Sequence, residues 1–372
     1  MPIKNYILST DLGWVETYIL NRRLAFAAPI QVPDTQPESN PVGVFWQAVD
    51  VGIDAAKSYF DSNFPIRFCV CGAQIVNAVA AHAGDKGLIV IAEGLIKQYI
   101  SLTFSVMQSV HFEKFLASGE PRSEENLPFL VSRREAIQTI VADPLYLPRA
   151  ESVDTGLLAL LIQVGATFLT AHEAGHILRG HLVGNLYGEA LAVEDEISFA
   201  SEHSVTRTLE FDADFFATET TLYHCVRLAD SGMYPGILES REAAVRMTLC
   251  SIYLMVSLFE GFSLLPPRDA GSATHPPALV RLLAIYPAIS AIVENWVEPV
   301  SEDELQEIVK TTSSSVEMTL LEFGKGCMSE EEIDLAIDQG ALLYANHVEN
   351  WRIVRSQLQA DKNGNRDLPI YR

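Results

Sequence analysis

Apolar positions along the chain recur mostly at helical spacing, and strand-like patterns are confined to one short region. Five runs have the helical period, with polar residues between the apolar ones. They cover residues 46–60, 95–116, 155–182, 203–227 and 241–262. Asp154 is a candidate N-cap for the third run, because its carboxylate can accept hydrogen bonds from the free N–H groups of a first helical turn.

Two capping boxes predict the starts of further amphipathic helices near the C-terminus. Ser301 is followed by Glu304, and Ser329 is followed by Glu332. In this pattern each of the two side chains satisfies a backbone N–H group at the beginning of a helix.

The strand-like region lies between residues 66 and 91. Residues 66–79 are apolar, small and β-branched, and the run Gly-Leu-Ile-Val-Ile at residues 87–91 is typical of a short buried strand. Gly84 and Asp85 mark a turn between them. The sum predicts an α+β protein, mostly helical, with a small sheet.

Proline and charge suggest how the chain is divided. Residues 28–43 hold four prolines among polar residues, which predicts a loop within an N-terminal extension of residues 1–60. A core is predicted for residues 61–290 and a helical C-terminal segment for residues 291–372. Residues 117–154 are richer in charge and proline and are interpreted as an insertion or a covering segment.

Composition limits the possible partners. The chain has 372 residues, 48% of them hydrophobic, which is typical of a globular protein. Its net charge of −22 argues against a nucleic-acid partner, since binding phosphates requires clustered Lys and Arg. The apolar run at residues 247–265 is near the minimum for a membrane span, but a buried core helix is the preferred interpretation.

Cysteine use predicts a cytoplasmic location. The five cysteines show no regular spacing of a disulfide framework, and the first fourteen residues are not typical of a secretory signal. Cys69 and Cys71 are expected to be reduced residues on one face of a strand, with a metal or redox role as the alternative.

An H-E-x-x-H pattern lies late in the apolar run of residues 155–182, formed by His172, Glu173 and His176. Residues four apart share a helix face, so both imidazoles can reach one metal ion, and neutral histidine is a good ligand for Zn²⁺. Glu173 is rotated by about 100° from His172, so its carboxylate would lie beside the ion and could act as a general base on water. The alternative is a pair of core histidines without a metal.

A third metal ligand is predicted at Glu210. Glu210 and Asp214 are four apart on a predicted helix, which suits one carboxylate on the metal and the other on the second nitrogen of a ligand histidine. Ala213 is small and would let the two helices approach closely. Taken alone, such a pair is more typical of a solvated helix face, and Asp212 is expected to lie on one.

Two further histidines were considered for the site. A metzincin would need glycine at position 179 and histidine at position 182, where this chain has Arg179 and Leu182. His181 would lie half a turn out of phase with His172 on a continuous helix, so it is expected to face the opposite side and to be structural. His275 precedes two prolines and either donates to the oxyanion of a tetrahedral intermediate or simply begins a helix.

These motifs together resemble the gluzincin family that contains the CAAX prenyl-protein endopeptidases and the HtpX heat-shock peptidases. In that family an N-A-x-A segment, an edge strand and a G-L-L helix precede H-E-x-x-H, which is followed by E-x-x-A-D and by H-P with a downstream arginine. The matching positions here are residues 77–80, 88–91, 94–96, 172–176, 210–214 and 275–276, with Arg281.

The resemblance implies a zincin-like core and zinc-dependent endopeptidase activity. It implies that a substrate lies antiparallel along an edge strand beside the H-E-x-x-H helix, formed by Leu88, Ile89, Val90 and Ile91. It also implies that His275 lies near the reacting carbonyl. Family members usually carry clear membrane spans, so this chain would be a soluble variant.

We therefore expect a zinc metalloendopeptidase that holds one Zn²⁺ per chain and acts on a protein or peptide. His172, His176 and Glu210 are the predicted ligands, Glu173 the base and Asp214 the residue that orients a ligand histidine. The alternative is a regulated or degenerate relative, a sensor or interaction protein whose cleft stays covered until a partner binds. The intact Glu173 argues against a purely structural zinc site. The oligomeric state is not predicted.

Overall fold

The computed structural model describes residues 3–7, 13, 15, 41–83, 85–107, 154–182, 200–262, 278–296, 300–322, 330–364 and 366–368. These ranges are mostly helical, with a small mixed sheet, as expected for the α+β class. The helices are α1 (Pro41–Tyr59), α2 (Glu93–Met107), α3 (Thr155–Leu178), α4 (Ala200–Asp230), α5 (Arg241–Phe262), α6 (Ala278–Val293), α7 (Glu302–Glu322) and α8 (Glu330–Asp361). The strands are β1 (Ile66–Cys71), β2 (Ala78–Ala83) and β3 (Lys86–Ala92).

The sheet has the strand order β1-β3-β2, with β1 parallel and β2 antiparallel to β3. The prediction that residues 88–91 form an edge strand is therefore wrong, because they lie in the central strand. Ile89 and Ile91 face the main hydrophobic core, and Leu88 and Val90 face a smaller cluster on the other side. Burial on both faces explains the uninterrupted apolar run, which is typical of a central strand.

The outer strands differ in how they are covered. Beyond β1, Tyr6 forms a parallel bridge with Phe68. Beyond β2, the part of the chain that the structure describes supplies no further strand. Cys69 and Cys71 on β1 are buried and free, which agrees with the expectation of two reduced residues on one face of a strand.

Helix α3 is the central element of the fold and packs against α1, α4 and α5 as well as β2 and β3. Close approach on two sides depends on glycine. A Cβ atom on Gly52 of α1 would lie 3.0 Å from the Cβ of Thr170, and one on Gly165 would lie 1.9 Å from the hydroxyl oxygen of Tyr99. Because neighbours surround α3, its apolar positions extend around the whole helix.

Two helical segments, Thr155–Leu178 and Arg241–Gly261, are long and apolar enough to cross a membrane. In each, 78% of the apolar window lies buried inside the protein, which is also how core helices of soluble proteins behave. The sequence had suggested only the second of them. The expectation of a protein that does not span a membrane remains a prediction.

The start of α3 agrees with the sequence and its end does not. Asp154 accepts hydrogen bonds from the backbone N–H groups of Gly156 and Leu157, at 2.8 and 3.1 Å, so the predicted N-cap is confirmed. The helix ends at Leu178 and not at residue 182. Gly180 has a φ of 79°, a left-handed conformation that favours glycine and turns the chain away from the helix axis.

The C-terminal segment is tied to the end of α3. Asn363 donates its backbone N–H to the carbonyl of Leu178 at 2.7 Å and its side-chain amide to the carbonyl of Ile177 at 2.8 Å. Helix α8 also packs on α4 and α6, and one hydrophobic cluster extends from Phe45 to Leu368. The division at residues 60 and 290 remains a prediction.

The first of the two predicted capping boxes is present at the start of α7. Ser301 donates its backbone N–H to the Glu304 carboxylate at 2.8 Å, and Glu304 donates its own to the Ser301 hydroxyl at 3.3 Å. Ser329 of the second box and residues 117–153 of the predicted insertion lie outside the described residues.

Candidate metal centre

The three predicted ligands converge at the contact between α3 and α4. The Nε2 atoms of His172 and His176 are 3.2 Å apart. One carboxylate oxygen of Glu210 lies 3.4 Å from Nε2 of His172, and the other lies 3.7 Å from Nε2 of His176. The i, i+4 spacing places both imidazoles on one face of α3, and the neighbouring helix supplies the carboxylate. The arrangement is compatible with a metal ion.

Small residues allow the two helices to come close enough for this. A Cβ atom on Gly175, inside the H-E-x-x-H motif, would lie 3.1 Å from the Phe216 ring and 3.6 Å from the Cα of Ala213. Ala213 is itself completely buried. The expectation that a small residue at position 213 permits close approach is therefore confirmed.

The donor set fits zinc. Ligand atoms about 2.0–2.1 Å from a tetrahedral Zn²⁺ lie about 3.3 Å from one another, close to the spacing found here. Two imidazole nitrogens and one carboxylate leave a fourth position for water, as in catalytic zinc sites. Both Nε2 atoms point to the same place, while the Nδ1 atoms of the two rings are occupied by other partners.

Glu173 lies beside the cluster, next to the outer strand β2. Its carboxylate accepts a hydrogen bond from the backbone of Ala80 on β2. The residue is only 7% exposed, and this burial, with the nearby Glu210 charge, raises the pKa of Glu173 to about 7 against the opposing effect of His172. A carboxylate in these surroundings can accept a proton near neutral pH.

The predicted contact between Asp214 and a ligand histidine is present. Nδ1 of His172 lies 2.9 Å from Oδ1 of Asp214. Arg281, on α6, donates to both oxygens of the same carboxylate, at 3.0 and 2.6 Å. Burial acts against the charged form, but Arg281 and His172 hold the pKa of Asp214 well below its usual value. Asp214 is thus a fixed anion that accepts a hydrogen bond from Nδ1–H of His172.

The predictions for Asp212 and His181, which lie next to the second ligand histidine, His176, are wrong. Asp212 was expected on a solvated face, but it is completely buried and bonded to Arg179 at 2.5 Å. His181 was expected to face away from the site, but its Nδ1 lies 3.0 Å from Nδ1 of His176 and its Nε2 lies 3.0 Å from Asp212.

The reason is the turn that ends α3. The N–H of His181 donates to the carbonyl of His176 at 3.0 Å, and the N–H of Arg179 donates to that of Gly175 at 2.9 Å. Gly180, between Arg179 and His181, is left-handed, and the bond from His181 to His176 is the 6→1 hydrogen bond of a Schellman turn. The turn folds His181 back over the last helical turn, where a continuous helix would have pointed it elsewhere.

The charge distribution favours a cation at the ligand atoms. Burial lowers the pKa of His176 to about 3, which keeps this ring neutral and able to ligate. Burial also disfavours a charged His172, but hydrogen bonds to Asp214 and Glu210 prevail and raise the pKa of His172 to about 10. The carboxylates therefore stabilise positive charge at a position where a proton and a metal ion would compete.

His275, the remaining predicted site residue, lies outside the described residues. Sequence reasoning gave Arg179, His181 and Asp212 no role in the site. Gly180 was the missed signal, since glycine directly after a helical run marks a C-terminus and places the next residue off the helical phase. Arg281 was noticed as part of a motif, but nothing local to it indicates Asp214 as its partner.

In comparisons with protein-family models, curated proteins and solved structures, no significant match to this chain was found. The resemblance to the gluzincin peptidases therefore rests on the motif residues alone.

Proposed function

We propose that this chain is a zinc-dependent peptidase. The observation that carries the proposal is the convergence of His172, His176 and Glu210 around one position, with the Glu173 carboxylate beside them and in contact with a sheet edge. A structural site has no use for a buried carboxylate at that point, whereas hydrolysis of a peptide needs a base there.

His172, His176 and Glu210 would hold the ion, which when bound supplies Lewis-acid chemistry by polarising a carbonyl and acidifying water. Glu173 takes a proton from the attacking water and passes it to the leaving amine. Asp214, held by Arg281, fixes the ring of His172 through its Nδ1 atom. His275 is proposed to donate to the oxyanion, because the resemblance implies that it lies near the reacting carbonyl.

The peptide is proposed to lie along β2 and not along residues 88–91. β3 is paired on both sides, whereas β2 forms the outer strand next to α3 and its Ala80 contacts Glu173. An extended peptide added to β2 would lie with its backbone beside the base. Strand addition binds mainly through backbone groups, so limited side-chain selectivity is expected.

One observation favours the alternative of a covered cleft. His172, Glu173 and His176 are only 8%, 7% and 5% exposed. Peptidase activity that appears only after a partner binds, or after limited proteolysis, would support the regulated form of this function.

The test is cleavage of an unbiased peptide mixture by the purified chain, compared with Glu173→Gln and Glu317→Gln. Glu317 is a buried carboxylate on α7 outside the site and serves as the matched control. Loss of cleavage in Glu173→Gln alone, with zinc still bound, is expected. A cleaved peptide is then N-methylated at single positions, since removing N–H groups that pair with β2 should slow its cleavage about 10-fold or more.

Equal cleavage by wild type and Glu173→Gln would contradict the proposed mechanism. The absence of cleavage before and after limited proteolysis, in a zinc-loaded chain, would contradict peptidase activity itself. Insensitivity to N-methylation would contradict the position of the peptide on β2 while leaving the zinc chemistry in place.

A further inference from the structure

Three polar side chains with no assigned role form a buried cluster behind His176. Arg179, His181 and Asp212 are 2%, 0% and 0% exposed. Buried charges in proteins are paired, and this cluster is built accordingly: Arg179 bonds Asp212, and Asp212 bonds His181. Another hydrogen bond of the cluster runs to the metal site, from His181 to His176.

The direction of these hydrogen bonds can be worked out from the acceptor at the end. Asp212 forms a buried ion pair with Arg179 at 2.5 Å, and a carboxylate can only accept hydrogen bonds. The His181 tautomer that donates its Nε2–H to Asp212 accepts at Nδ1. His176 must then donate its Nδ1–H to His181, and the lone pair on its Nε2 atom faces Nε2 of His172.

That lone pair points to the position shared with the other ligands. Nε2 of His176 lies 3.2 Å from Nε2 of His172. The ring of His176 is thus fixed at one end by its helix and at Nδ1 by the His181 ring, which the Schellman turn places beside it. Its tautomer is the one that can bind a metal ion.

We propose that His181 is a positioning residue for the metal site on which the proposed function rests. It connects His176 to the Arg179–Asp212 pair and fixes the tautomer and orientation of that ligand. The Nδ1 atoms of the two ligand histidines are held differently: that of His172 contacts the Asp214 carboxylate directly, while that of His176 is linked to the Asp212 carboxylate through His181. His181 acts through His176 and is not one of the three proposed ligands.

Loss of this link should weaken metal binding. Partners of ligand histidines commonly contribute about 10- to 100-fold to metal affinity. His181→Phe keeps the ring volume but removes the acceptor, so we expect a decrease of that size. His181→Asn retains an oxygen close to the Nδ1 position and should recover part of the affinity. His224→Phe is the control, since it replaces another histidine that hydrogen-bonds a side chain, Gln163, away from the site.

The first readout is competition for Zn²⁺ between the full-length chain and a coloured chelator, with the metal-free unfolding midpoint of each variant measured in urea. A merely structural role would lower the midpoint of His181→Phe and of His224→Phe alike, without a specific loss of zinc affinity. The positioning role predicts the affinity loss in His181→Phe and wild-type affinity in His224→Phe.

The second readout needs neither zinc nor activity. Long-range ¹H–¹⁵N NMR of histidine rings in the metal-free chain distinguishes the two tautomers. We expect the proton of His176 on Nδ1 in wild type and in His181→Asn, and a shift toward Nε2 in His181→Phe.

Wild-type zinc affinity in His181→Phe, or a wild-type His176 ring protonated on Nε2 alone, would overturn the positioning role while leaving the ligand set and the peptidase proposal untouched. Conversely, a chain with the expected tautomer and His181-dependent affinity that cleaves no peptide would support the positioning role and contradict the proposed function.

Discussion

The two halves of α3 are both buried, but different parts of the chain hold them in place. The N-terminal half is capped by the adjacent Asp154 and packs through apolar side chains. The C-terminal half carries the motif. Its last carbonyl groups accept hydrogen bonds from the following turn and from Asn363, which is 186 residues beyond Ile177. A neighbouring residue therefore caps the first half, while a distant segment bonds the end of the half that carries the chemistry.

This comparison predicts a separation of effects. Substitutions in the N-terminal half should change the free energy of unfolding and leave zinc affinity unchanged. Substitutions around the C-terminal half should change both, because the ligand geometry depends on the same contacts.

The largest effect on stability is expected for Gly165→Ala. The new Cβ atom would lie 1.9 Å from the Tyr99 hydroxyl oxygen and 2.3 Å from Cζ, so a buried ring must move. Overpacking of this kind should lower the free energy of unfolding by about 2–3 kcal/mol, measured with urea on the metal-free chain. Zinc affinity of the folded variant should equal that of wild type.

The control for this prediction is the double variant Gly165→Ala with Tyr99→Leu. If the collision causes the loss, the pair should be less destabilised than the sum of its single variants. Additive effects would show that the close approach to Tyr99 is not what position 165 requires.

Asn363→Ala should cost about 2 kcal/mol, because it leaves the carbonyl of Ile177 without its side-chain donor in a partly buried position. Unlike Gly165→Ala, it should also weaken zinc binding, since the end of α3 becomes less ordered. Urea unfolding and chelator competition measure the two effects. Gln359→Ala, which removes hydrogen bonds within the C-terminal segment itself, is the control and should leave zinc affinity unchanged.

Gly180→Ala and Gly232→Ala compare the same backbone change at two places. Their φ values are 79° and 63°, so each alanine should cost about 1–2 kcal/mol in the left-handed region. Only Gly180 sets the position of His181, so only its variant should lose zinc affinity in the chelator assay. Equal zinc affinities in the two variants would remove the link between the helix end and the metal site.

Asp154→Ala should have the smallest effect, about 1 kcal/mol, because it removes one N-cap from α3. Asp154→Asn should retain most of the stability, and neither variant should alter zinc affinity. A clear loss of zinc affinity in Asp154→Ala would mean that the two halves of the helix are coupled after all.

How much of this could be predicted follows the same division. The i, i+4 pairs in H-E-x-x-H and between Glu210 and Asp214 indicated which side chains share a face, and the structure brings them together. Asp154 was equally readable, because a cap and its helix are neighbours in sequence.

Contacts between segments that are distant in the chain could not be predicted from local sequence patterns. A buried apolar run does not reveal its position in a sheet, so β3 was mistaken for an edge strand. Asp212 was misjudged because its burial depends on Arg179 and His181, and those reach it through a turn at Gly180 that was overlooked. The role of Asn363 has no local pattern at all.

The most direct test of the central claim is the zinc content of the folded chain, measured by elemental analysis for wild type, Glu210→Ala and Glu317→Ala. Both variants remove a carboxylate from a helix, but only Glu210 faces the two histidines. About one zinc ion per chain is expected in wild type and Glu317→Ala, and little or none in Glu210→Ala. Zinc retained in Glu210→Ala, or absent from the folded wild type, would contradict the proposed metal centre.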